Sequence, residues 1–211
     1  MKSTLIYVVR HGETEWNLIG KQQGRMDSPL TNRGTQQAIA LAKGLVNRGI
    51  EFIYSSDLGR ALKTAKLISA SLELPIQIDK RLRERHLGSL QGLTKKEFRY
   101  QHIEEWEKFN SGDPDYCFPG GESARQRFKR TVTCVEELAK LHTGQTILIV
   151  AHGGVLNSLF YKSISIPLSD PRKFSLFNAA INSFSISGDS WCLDTWGEIS
   201  HLQGLNTLDD N

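Results

Sequence analysis

Two histidines and two arginines stand where they could do chemistry together. Arg10-His11-Gly12 follows directly on the apolar run Leu5-Ile6-Tyr7-Val8-Val9, and His152-Gly153-Gly154 follows on Ile147-Leu148-Ile149-Val150-Ala151. Arg60 sits three residues after Asp57, a good N-cap at the start of a helical pattern. A cation in a first helical turn opposes the macrodipole, which makes Arg60 a candidate anion ligand. If the two histidine-bearing strands are neighbours, Arg10, His11, Arg60 and His152 converge at one sheet edge. Two guanidiniums and a protonated imidazole then form a receptor for a phosphoryl group, their N–H donors matching its oxygens. The other imidazole can act as nucleophile and carry the phosphoryl covalently. A leaving alkoxide needs a proton, and Glu84 is the available acid.

The elements that must position these groups read as alternating strands and helices. A buried strand at residues 5–9 is followed by a polar loop, Gly20 to Pro29, and by a helix capped near Thr31. Its apolar face is Ala38, Leu41, Ala42, Leu45 and Val46, and Arg48-Gly49 ends it. A second strand, 52–56, leads into the Asp57-capped helix, with Leu58, Ala61, Leu62, Ala65 and Ile68 inward. A third strand covers 74–78, and a charged loop through Glu84 reaches Gly88. The spacing predicts a helix over 94–110, a Gly/Asp/Pro break to Pro119, and a long helix from about Gly121 to His142. That helix turns Ala124, Phe128, Val132, Val135 and Leu138 inward and pairs Glu136 with Lys140. The strongest strand is 146–151, and a helix follows His152. Residues 181–187 and 191–196 alternate around Gly188-Asp189 as a hairpin, and 200–211 is a loose tail. The expectation is one α/β domain over residues 1–211.

Composition narrows the function. The chain has 211 residues, 39% hydrophobic and 23% charged, with a net charge of +3 and no basic run of five or more, which argues against a nucleic-acid partner. The apolar stretches are too short for a membrane span or a secretory leader. Cys117, Cys134 and Cys192 are odd in number, widely spaced and without a Cys-x-x-Cys pair, so neither a zinc site nor a disulfide framework is indicated, and Cys134 reads as a core residue. A reducing, cytoplasmic setting is expected. His11 and His152 lack helical i, i+4 spacing, and the arginines beside them would repel a cation, so no metal and no cofactor is called for. A homodimer stays open.

Taken together the motifs resemble the histidine phosphatase superfamily, in the branch of cofactor-dependent phosphoglycerate mutases and related phosphatases. The matching pieces are Arg10-His11-Gly12-Glu13-Thr14-Glu15-Trp16-Asn17, Ser28-Pro29-Leu30-Thr31, Ser55-Ser56-Asp57-Leu58-Gly59-Arg60-Ala61, Thr64-Ala65, Leu82-Arg83-Glu84, Gly88, Pro119-Gly120-Gly121-Glu122-Ser123 and His152-Gly153-Gly154. The resemblance implies a three-layer sandwich, a mixed and mostly parallel sheet flanked by helices. It makes His11 the nucleophile that becomes phosphohistidine and Glu84 the general acid/base. It gives Arg10, Arg60 and His152, helped by Asn17 and Gly153, to the phosphoryl group. Gln23 and Gly24 fall in a substrate-touching loop, and Glu122 orients pocket arginines.

Phosphatase and mutase share the first half-reaction and differ in what takes the phosphoryl from His11. Only 34 residues, 85–118, lie between Glu84 and Pro119, without the longer insertion by which the mutases enclose a two-phosphate intermediate. A shorter cover admits water. The expected activity is hydrolysis of a small phosphorylated metabolite. A cofactor-dependent phosphoglycerate mutase is the alternative, and a phosphate-binding module without turnover is third. The cover itself, Gly92 to Asp115, carries Lys95, Lys96, Arg99 and Tyr100, which either read an anionic or sugar-like group or stay solvated.

Overall fold

The computed structural model describes residues 2–209. In chain order the elements are β1 (Thr4–Arg10), α1 (Glu15–Leu18), α2 (Asn32–Leu45), β2 (Phe52–Ser55), α3 (Gly59–Leu72), β3 (Ile76–Ile78), α4 (Lys95–Gln101), α5 (Ile103–Asn110), α6 (Ala124–Leu141), β4 (Thr146–Ala151), α7 (Gly153–Ser163), β5 (Ile181–Ser187) and β6 (Ser190–Glu198). One six-stranded sheet takes the order β3-β2-β4-β1-β5-β6. β3, β2, β4 and β1 run parallel, and the β5–β6 hairpin is added antiparallel to β1. The two histidine-bearing strands are direct neighbours, with Arg10 opposite Ala151.

Period-2 alternation divides the two central strands between two cores. Ile6, Val8, Ile147, Ile149 and Ala151 face α6 and α7, meeting Cys134, Val135, Leu138, Val155, Leu156 and Leu159. Val9, Leu148 and Val150 face α2 and α3, meeting Leu41, Leu45, Ala61, Ala65 and Ile68. Strands covered on both faces are apolar at nearly every position, which is why these two are so plain in the sequence. A third, smaller cluster of Leu90, Phe98 and Phe118, with Trp106 and Phe109 against it, holds the cover together.

Several local expectations are corrected. Asp57 does not cap α3. Its carboxylate is drawn into an ion pair with Arg83, and the N-cap position belongs to Leu58. The third strand is shorter, 76–78. The 94–110 helix is two helices broken at His102, where the backbone leaves helical geometry, and Ile103 is exposed. Val46 lies beyond the end of α2 and is exposed. Glu136 pairs with Lys162 of α7, not with Lys140. The inward stripe of α6 runs through Arg127, Thr131, Val132, Cys134, Val135, Leu138 and Ala139, with Phe128 only half-buried.

From Ser200 to Asp209 the tail is not loose, and residues 210–211 lie outside the described residues. Leu202 is buried in a 3₁₀ turn at Ser200–Leu202, and residues 206–209 bond back to the body of the molecule. Among the described residues no helix is long and apolar enough to cross a membrane.

Candidate active site

The backbone around His11 is held on every side. Its N–H donates to Ala151 of β4 at 3.1 Å, and its carbonyl accepts from Asn178 Nδ2 at 3.0 Å. The N–H of Gly12 donates to Thr64 Oγ1 of α3 at 3.1 Å. The loop then presses so closely on the first turn of α2 that a Cβ on Gly12 would lie 2.3 Å from the Gly34 carbonyl oxygen, and one on Gly34 would lie 1.9 Å from that of Glu13. Both positions therefore require glycine. Glu13 is buried beneath, its carboxylate accepting from Thr31 Oγ1 at 2.7 Å and pairing with Arg33 at 3.3 Å.

Hydrogen-bond partners set the tautomer of His11. The Gly12 carbonyl, 2.8 Å from Nδ1, can only accept, so Nδ1 carries the proton. Arg60 Nε, 3.1 Å from Nε2, can only donate, so Nε2 keeps its lone pair. Burial first, then the charges of Arg60 and Arg10, hold the His11 pKa well below the usual 6.5. The imidazole is neutral and its lone pair faces the arginine.

Arg60 is fixed by a cap supplied from another part of the chain. Asp27 accepts from the Arg60 backbone N–H at 3.2 Å, filling the role vacated by Asp57, and from its Nη1 at 2.9 Å. Met26 and Gly24 carbonyls take further guanidinium protons at 2.9 and 2.8 Å. One Nη2 proton is left for a ligand. Arg10 is anchored through the Leu176 carbonyl.

His152 is completely buried behind His11, ring centroids 5.4 Å apart, with Nε2 on Ser56 Oγ at 2.8 Å. Burial and the Arg60 charge keep it neutral too. The protonated imidazole expected from the sequence is thus not found, because burial and the neighbouring arginine charges push the same way, against the cation.

The cavity that opens beside His11 has a volume of ≈ 270 Å³. Arg10, Asn17, Gln23, Gly24, Arg60, Glu84 and Gly153 line it with His11, while His152 forms the wall behind. Asn17 Oδ1 is engaged by the Thr14 N–H at 3.1 Å, leaving its amide protons to donate. Gln23 Nε2 donates to Thr14 Oγ1 at 2.9 Å and Gly24 lends its carbonyl to Arg60, so both shape the loop. Glu84 is held by two backbone donors, Arg85 N–H at 2.6 Å and Gly154 N–H at 2.8 Å at the start of α7. Glu122 orients Arg130 and Arg25 by ion pairs, neither of which lines the cavity, and touches the lining Arg85 only through its carbonyl. Of the cover residues, Lys95 and Phe109 line the cavity, whereas Lys96, Arg99 and Tyr100 are exposed.

Six polar or charged lining groups are not singled out by the sequence: Lys21, Gln22, Arg85, Arg127, Asn157 and Arg172. Arg127 had a usable signal, a cation placed on the inward stripe of α6. With them the lining carries five arginines and two lysines against a single carboxylate, Glu84. Such an arrangement is chemically able to hold a polyanion against a neutral imidazole, with one carboxyl group in the same cavity.

Comparison with known proteins gives a consistent picture. Residues 6–199 match the model of the histidine phosphatase superfamily (branch 1). The chain is 39% identical over 207 residues to phosphoglycerate mutase-like protein 4 of Arabidopsis thaliana, covering 96% of this chain and 89% of that protein. It is 38% identical over 209 residues to the metal-independent phosphoserine phosphatase of the same plant, covering 97% and 86%. A histidine-to-alanine variant of phosphoserine phosphatase from Entamoeba histolytica, solved in complex with phosphoserine, superposes with a TM-score of 0.85 at 30% identity over 94% of this chain and 99% of that one.

Proposed function

Because the chain belongs to branch 1 of the histidine phosphatase superfamily, we propose that it is a phosphatase that hydrolyses small phosphate monoesters through a phosphohistidine on His11. The observation that carries this reading is the His11 tautomer: Nδ1 is locked on the Gly12 carbonyl, and Nε2 offers its lone pair to a pocket of cations. Nε2 attacks phosphorus in line as the ester P–O bond breaks. Arg60 Nε gives up Nε2 and donates to a phosphoryl oxygen instead, beside Arg10 and the Asn17 amide. Glu84, in its acid form, passes its proton to the leaving oxygen. As carboxylate it then takes a proton from the water that attacks phosphorus. The P–N bond breaks, and the neutral imidazole and inorganic phosphate are regenerated. His152 backs the His11 ring and limits its tilt.

No step calls for a metal, and a lining of seven cations disfavours a divalent ion. Unpaired Cys117, Cys134 and Cys192 suit a reducing cytoplasm. Phosphoserine is the first ester to try, since two relatives carry that name.

Rapid-quench with a ³²P-labelled ester tests the reading. An acid-labile, base-stable phosphoenzyme should form and decay at the rate of phosphate release, unaffected by a chelator, and should be absent in His11→Ala. Phosphate release retained by His11→Ala would sink the mechanism. Isomerisation of glycerate phosphates far faster than phosphate release would make the protein a mutase.

A further inference from the structure

The guanidinium of Arg127 is buried without a carboxylate in salt-bridge contact among the described residues. It is 7% exposed, on the face of α6 that packs against α7, and Nε donates to Ser158 Oγ at 3.0 Å. Among the described residues that is its only hydrogen bond, and no carboxylate pairs with it; Nη1 and Nη2 are left to the cavity it lines. Burial pulls its pKa down to about 10, so it stays charged at neutral pH. Packing does not ask for a cation here, since the stripe it interrupts continues as Thr131, Cys134, Val135 and Leu138. Glu84 and Glu122 offset this charge only through space, with no hydrogen bond to it, so a desolvated guanidinium whose Nη groups reach a cavity is placed to bind an anion.

Its place in the pocket says which part of a ligand it meets. A Cβ built on Gly154 would lie 2.1 Å from Glu84 Oε1 and 3.0 Å from Arg127 Nη1, so these two groups flank one point of α7. Glu84 is the group that serves the ester oxygen. Arg127 therefore stands on the leaving-group side, whereas Arg10 and Arg60 close the phosphoryl side from β1 and α3. Asn157, one residue before Ser158, lines the same cavity with its Oδ1 buried and without a donor.

Resting on the phosphatase reading above, we propose that Arg127 is a specificity-determining residue, which takes a second anionic group carried by the alcohol half of the substrate. Asn157 Oδ1 accepts from a hydroxyl or ammonium beside that group. The favoured substrates are thus phosphorylated acids or bisphosphates, and simple alkyl or neutral sugar phosphates are poor ones.

Two matched ester pairs test this. Phosphoserine and phosphoethanolamine differ by one carboxylate, and 1,3-propanediol bisphosphate and propyl phosphate by one phosphate. The readout is the ratio of kcat/KM within each pair, in the wild type, Arg127→Met and Arg127→Lys. A general loss of folding lowers both members of a pair and leaves the ratio alone. One wild-type ratio should be about 10 to 100, fall toward 1 in Arg127→Met and be partly kept in Arg127→Lys. The pair that responds identifies the anion. A wild type without discrimination in either pair, or a ratio that Arg127→Met leaves unchanged, overturns the proposal while the phosphatase reading stands. Absence of phosphate release and of phosphoenzyme with all four esters overturns both.

Discussion

Asp27 holds Arg60 twice, once by the backbone N–H that opens α3 and once by the guanidinium that faces His11. A cation in a first helical turn is opposed by the dipole. Here the carboxylate offsets that penalty and also aims the side chain, so the helix start and the phosphoryl site are one construction. Asp27→Ala should lower kcat/KM about 10- to 100-fold and stability by about 1 kcal/mol, the value of a lost cap. Asp27→Asn, which can still cap, should recover most of the stability and less of the activity. Equal recovery of both in steady-state kinetics and urea unfolding would mean that the cap alone carries the activity and the carboxylate charge on the guanidinium adds nothing.

Acid should destabilise the protein through its two buried histidines. His11 and His152 have folded pKa values well below 6.5, chiefly from burial and then from the Arg60 charge. Below pH 6.5 the unfolded chain takes up protons that the folded chain refuses. The contribution to stability is therefore complete above about pH 6.5 and is lost as pH falls, at up to ~1.4 kcal/mol per pH unit for each histidine. Urea midpoints between pH 7 and 5 should show this slope, and His11→Ala should reduce it. An unchanged slope in that variant would mean that His11 binds a proton as readily in the folded protein as in the unfolded chain.

Gly154→Ala separates helix propensity from chemistry. Alanine in a helix is favoured over glycine by roughly 1 kcal/mol. The new Cβ, however, would sit 2.1 Å from Glu84 Oε1 and must push the carboxylate off the Gly154 N–H. Activity should fall by about 10- to 100-fold, as for a displaced acid, without a matching loss of thermal stability. Wild-type turnover in this variant would remove Glu84 from the role assigned to it.

What could be read from the sequence was whatever is decided locally. β1 and β4 are covered on both faces, so their apolar runs and their terminal histidines announced themselves, and with them the sheet edge where Arg10, His11 and Arg60 meet. Contacts made across the chain were misread. Asp57 reads as a cap because it precedes the helix, but Arg83 claims it, and Asp27, 33 residues before the Arg60 N–H it accepts from, takes its place. Arg127 is not singled out by the pattern Ala124, Phe128, Val132, Val135 and Leu138, whose last three members are buried while Phe128 is only half-buried and Arg127 beside it turns inward. The protonated imidazole expected of the pair is absent because burial and the arginine charges lower both histidines.

The last nine residues offer the most direct test of a distant support. Gln37 Nε2 donates to the Asn206 carbonyl at 2.7 Å, and Asn178 exchanges bonds with Leu208 and Thr207 at 3.1 and 2.8 Å. Asp209 accepts from the Leu176 N–H at 2.8 Å and from Arg172, which lines the cavity, at 3.1 Å. Asn178 in turn holds the His11 carbonyl and Leu176 holds Arg10, so the tail lies one residue removed from both. Deleting residues 203–211 should cost about 2–4 kcal/mol, as several partly buried hydrogen bonds are lost together, and should depress kcat/KM at least about 10-fold, since small misplacements weaken positioning. Asp209→Ala should keep most of the stability yet raise KM, because it removes one of the bonds that hold Arg172 without unpinning Asn178. A truncated protein that folds and turns over like the wild type would show that β1 and α3 alone are rigid enough to hold the site.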